Sequence, residues 1–88
     1  TVLIRNHEVG AGTPIEAPAM YDTGDIGGGQ RAGGGTTTLV MRGGELREMH
    51  ASLGGTLVNC AGGLTPWGTW LTCEEIKTNA LSSTGKRH

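Results

Sequence analysis

Short runs of apolar and β-branched residues alternate along this chain with pairs and triplets of glycine. "TVLIRN", residues 1–6, is β-branched and apolar before it turns polar, and predicts a strand that delivers His7 and Glu8 at its end. "GTTTLVMR" (35–42) predicts a second strand and "ELREMHASL" (45–53) a third, joined by Gly43-Gly44. A two-residue hairpin turn prefers such a pair, because both central residues need positive φ. Leu46, Met49 and Leu53 are spaced three and four apart, which also fits two turns of helix. The tight turn before them demands a partner strand and favours the strand reading. "TLVNC" (56–60) and "GTWLTCEE" (68–75) predict two more strands, with "AGGLTPW" (61–67) a loop needing special backbone positions. Val9 to Gly34, dominated by Gly, Pro and Asp, keeps no period and is expected to be one long loop. The tail from Ile76 to His88 is polar and weakly patterned.

Successive short strands with Gly-rich turns predict an all-β, antiparallel protein, a sandwich or a propeller. The long loop and the glycines suit a β-propeller, with strands here for about one blade and part of another. The chain starts at Thr1 and ends in "TGKRH" without a completed last element, so residues 1–88 are expected to be a piece of a longer chain. On that reading its sheet edges and faces need the remainder of its own ring.

Composition narrows this further. Glycine accounts for 17 of 88 residues, there is no Phe, and Tyr occurs once, so groups that fill a core are scarce. The net charge of −1 with mixed signs offers no basic patch for nucleic acid. No apolar run approaches the roughly 20 residues of a membrane span. No signal peptide is visible, which says nothing about export for a piece of a chain.

The candidate chemistry is concentrated in "NCAGGLTPWGTWLTCEE", Asn59 to Glu75, which holds both cysteines, both tryptophans and two adjacent acids. Carboxylates suit hard cations such as calcium and ferric iron, and a thiolate favours iron over calcium. Cys60 and Cys73 could equally pair as a disulfide in an exported protein. Cys73 is otherwise expected to be a small buried hydrophobe. Adjacent carboxylates on a strand point to opposite faces, so regular geometry admits at most one of Glu74 and Glu75 to a site, unless a bulge or strand end re-aims both. Cys60 at the end of one strand and the acids at the end of its antiparallel neighbour would lie at opposite ends of the sheet. Either "AGGLTPW" carries the chain back, or Cys60 lies inside the loop. Trp67 and Trp70 are expected in packing, beside a loop that must be rigid.

The remaining polar residues carry plainer expectations. His7 reads as a hydrogen-bonded structural residue rather than a ligand, and Asn6 as a residue that caps or cross-links a turn. His50 and His88 read as surface residues, and Thr36 to Thr38 as plain strand. Asp22 and Asp25 lie in a loop without the acid at the twelfth position that a helix–loop–helix calcium site requires, and read as solvated. "GGGQRAGGG" lacks the Lys-Ser/Thr of a phosphate-cradling loop.

"RNHE", then "GGTTTLV", then "SLGGTLVNCAGGLTPWGTWLTCEE" closely resembles the PhoX family of alkaline phosphatases. The resemblance covers most of the chain, with 9–34 the weakest part. It implies a six-bladed β-propeller, a periplasmic or secreted location, and hydrolysis of small phosphate esters by a cluster of calcium and ferric iron (Fe3+). It further implies metal ligands at Cys60, at the acids Glu74 and Glu75 with Glu75 the stronger, and at Glu8. The isolated piece is expected to be inactive. The family also implies an alternative, a non-catalytic propeller that serves as a binding module or envelope protein.

Overall fold

The computed structural model describes residues 1–21 and 25–76. The described part is all-β, with antiparallel sheets and no helix. Seven strands follow in order: β1 (Val2–His7), β2 (Asp25–Gly27), β3 (Gln30–Arg31), β4 (Gly34–Arg42), β5 (Glu45–Thr56), β6 (Asn59–Leu64) and β7 (Trp70–Glu74). They form a three-stranded sheet in the order β1-β4-β5 and two separate hairpins, β2-β3 and β6-β7. The expectations for His88, Asp22 and the tail beyond Ile76 lie outside the described residues.

The β4–β5 hairpin turns at Gly43 and Gly44 with φ of 59° and 79°, as the glycine pair predicts. The helix-like spacing in β5 has a strand explanation. The register shifts between Val40↔Glu48 and Met41↔Leu46, so Arg47 is an extra, unpaired residue. That bulge returns Leu46 and Met49 to one face, opposite Met41 and Leu39.

Two expectations are corrected. The stretch 9–34 is not one featureless loop. It contains the β2–β3 hairpin, turning at Gly28 and Gly29 with positive φ, and Ala11 bridges to Ala32. Ile26 and Ala32 from this stretch pack with Leu57 as the buried core, with Val58 and Ile76 against it. The second correction concerns "TLVNC" and "AGGLTPW". Thr56 ends β5, the chain breaks at Leu57-Val58, and Ala61 to Leu64 continue β6 rather than forming a loop. Gly62 and Gly63 are ordinary strand residues, and only Gly68 in the tip has positive φ, 88°.

The break at Leu57-Val58 is locally strained. Val58 has φ of 51°, a left-handed conformation that costs a β-branched residue roughly 1–3 kcal/mol. Two backbone bonds hold it there. Its N–H donates to the Val9 carbonyl, and its carbonyl accepts from the Glu75 N–H, both at 2.9 Å.

Candidate metal centre

Three segments meet beside Val58: the end of β1, the start of β6 and the end of β7. Because Cys60 lies near the start of β6, it stands beside the end of β7, where the acids are. This removes the conflict of sheet ends. Asn59 pairs with Glu74 and Ala61 with Cys73, so Cys60 is an extra residue in a β-bulge. Asn59 is buried and Cys60 exposed. Bulges re-aim side chains in this way.

Glu8, Cys60 and Glu75 come together there. One ligand atom from each lies within 4.8 Å of the others, and all three residues are exposed. The Cys60 thiol is raised above its ordinary range, first by the charge of Glu8, then by that of Glu75, with smaller contributions from desolvation and from hydrogen bonds to both carboxylates. A thiol held protonated by two negative neighbours is a group that a cation would deprotonate.

Glu74 does not join them. Its carboxylate accepts the Leu57 N–H at 2.7 Å, so it satisfies the strand break instead. Alternation along β7 separates the two acids, with Glu74 half-buried and Glu75 exposed just past the strand end.

His7 also stays out. Its Nε2 hydrogen-bonds the Thr37 hydroxyl at 2.6 Å, on the side of β1 opposite to Asn6 and Glu8. Thr36 hydrogen-bonds Ser52 through their hydroxyls at 2.9 Å, so these threonines tie strands together. His50 is exposed, and Asp25 faces Arg31 at 3.8 Å.

The two cysteines are free thiols, and Cys73 is exposed rather than buried. The tryptophans are not core residues among the described residues. Trp67 is 76% exposed in the β6–β7 tip. Trp70 lies over Gly62, where a Cβ would come within 2.6 Å of its indole nitrogen, and so covers a strand glycine with an aromatic ring.

Sequence reasoning gave Asn6 only a turn role and overlooked Thr56, Asn59 and Thr72. Their side chains form a hydrogen-bonded chain behind the cluster. The Thr56 hydroxyl donates to Asn59 Oδ1, Asn59 Nδ2 to the Thr72 hydroxyl at 3.1 Å, that hydroxyl to Asn6 Oδ1 at 2.8 Å, and Asn6 Nδ2 to the Cys60 carbonyl at 2.9 Å. A polar residue inside the predicted strand 56–60, at position 59, was the available hint.

The family model described as alkaline phosphatase PhoX matches residues 44–88, just over half of the chain. The chain belongs to the PhoX alkaline phosphatase family. The matched stretch contains Cys60, Glu74 and Glu75, whereas Glu8 of this PhoX chain lies outside it, just past the end of β1. Neither a curated protein nor a solved structure matches the chain. The family is generally metal-dependent, and its name speaks for a phosphatase-type parent.

Proposed function

We propose that this chain is part of a PhoX-type phosphomonoesterase in which Glu8, Cys60 and Glu75 supply ligands to a calcium and iron cluster. The observation that supports this reading is the convergence of two carboxylates and a thiol from three separate segments. Their chemistry fits such a group. Two hard oxygen donors suit calcium or ferric iron, and the thiolate suits iron. With the thiol ionised the three groups carry three negative charges, which a multivalent cation offsets. Bound metal ions would neutralise phosphate oxygens and act as Lewis acids.

The residues of this chain have distinct tasks. Cys60 gives up its proton when metal binds, and its bulge position keeps the sulfur outside the regular strand. Glu8 and Glu75 approach from the two flanking segments. Glu74 braces the Leu57 break and leaves the cluster to its neighbour. Three donors fill only part of the six to eight positions that calcium takes. The other ligands, and a basic group for phosphate, would come from further blades of a six-bladed propeller, of which residues 1–88 form about one blade and part of another. The substrates would be small phosphate esters, met in the periplasm or outside the cell.

The test is metal content and p-nitrophenyl phosphate hydrolysis of the whole protein that carries this chain, beside its Cys60→Ser variant. The expected outcome is iron and calcium in the parent, with loss of most iron and most turnover in the variant. Metal and turnover unchanged in Cys60→Ser would overturn the reading. Bound metal without hydrolysis in the parent would favour the non-catalytic module.

A further inference from the structure

We propose that Asn6 is a positioning residue that locks the three ligand-bearing segments to one another, an inference that rests on the metal-centre reading above. β1 belongs to the three-stranded sheet and β6-β7 is a separate hairpin, so no strand ladder joins Glu8 to Cys60 or Glu75. The Asn6 side chain spans that gap. It stands two residues before Glu8, its Nδ2 donates to the carbonyl of Cys60 itself, and its Oδ1 accepts from Thr72, three residues before Glu75. One amide therefore touches the strand that leads to Glu8, the residue that bears the thiol, and the strand that leads to Glu75.

The bonding chain has a single direction. It runs from the Thr56 hydroxyl through Asn59, Thr72 and Asn6, and it ends on the Cys60 carbonyl. Every donor in it meets an acceptor, and such head-to-tail chains strengthen each member. The orientation of the Asn6 amide follows from chemistry. Reversed, its oxygen would face the Cys60 carbonyl oxygen, two acceptors with no proton between them. The far end of the chain is anchored, since Asn59 is fully buried. Asn6 is thus tied to a rigid base and acts on Cys60 through the backbone, not by touching the sulfur.

Groups that orient metal ligands from behind typically change metal affinity by about 10–100-fold when removed. The experiment uses the whole metal-loaded protein and follows the rate at which a chelator, EDTA, strips its metal. Asn6→Ala is expected to lose metal roughly 10–100-fold faster, with the circular dichroism spectrum unchanged. Thr72→Val, which removes the hydroxyl that holds Asn6 Oδ1, should shift the rate the same way, and Thr72→Ser should restore it. That rescue is a readout which mere loss of packing would not give. It also decides the matter should Asn6→Ala fail to fold. Metal retention equal to the parent in Asn6→Ala and in Thr72→Val, with Cys60→Ser losing metal, would overturn the positioning role and leave the metal centre standing. Full retention in Cys60→Ser would overturn both.

Discussion

Glu74 and Leu57 are joined by a 2.7 Å bond from the Leu57 N–H to the Glu74 carboxylate, while the next residue, Glu75, stands beside Cys60 and Glu8. Two adjacent acids thus have separate work, one on the backbone of a strand break and one in the cluster. Replacing each by Gln in the whole protein should separate these roles. Glu75→Gln is expected to lower metal content and turnover, with partial recovery in excess calcium if calcium is the affected ion. Glu74→Gln should keep its metal and lose roughly 1 kcal/mol of stability, the difference between a charged and a neutral acceptor. Metal analysis beside thermal melting checks both, and equal metal loss in the two variants would contradict the assignment.

The raised Cys60 thiol gives a reactivity prediction. An acid held above its ordinary range is ionised less at any given pH, so alkylation of Cys60 in metal-stripped protein should be slow near pH 8 and rise only at higher pH. Glu8 is the largest cause. Glu8→Gln should therefore move the rate profile to lower pH. Iodoacetamide labelling followed by mass spectrometry measures it, and an unchanged profile would show that Glu8 does not act on the thiol.

Gly34 has no room for a side chain. A Cβ there would stand 2.7 Å from the Thr56 carbonyl oxygen and 2.8 Å from Asn59 Oδ1. Gly34→Ala should cost about 1–3 kcal/mol by forcing the strand and the buried asparagine apart. It should also weaken metal retention, because Asn59 anchors the bonds that reach Cys60. A melt as stable as the parent's would contradict this.

Residues 1–88 alone should not unfold cooperatively and should not hydrolyse phosphate esters. The buried apolar residues among those described are Ile26, Ala32, Leu39 and Leu57, while Leu64, Trp67 and Leu71 are more than half exposed. So small a core leaves little to offset the entropy of ordering the chain. A sharp calorimetric transition in the isolated chain would count against it.

The sequence alone determined β1, β4, β5 and β7 and their antiparallel class. β-branched runs at 1–6 and 35–42 and the Gly43-Gly44 pair act through nearest neighbours, so they are legible without partners. The same signal at Gly28-Gly29 was equally local, but a Gly-rich setting hid it. The resemblance to the family singled out Cys60, Glu75, Glu74 and Glu8, and the fold brings all but Glu74 together. Tertiary structure decided how they meet. The bulge at Cys60, the left-handed Val58 and the division of labour between Glu74 and Glu75 follow from register against β7 and from bonds to Val9 and Leu57. Those partners lie far along the chain, and periodicity reports only which face a residue takes, not what stands opposite. Asn6 shows the limit most clearly. Its partners Cys60 and Thr72 are 54 and 66 residues away in sequence, and only folding brings one amide within reach of both.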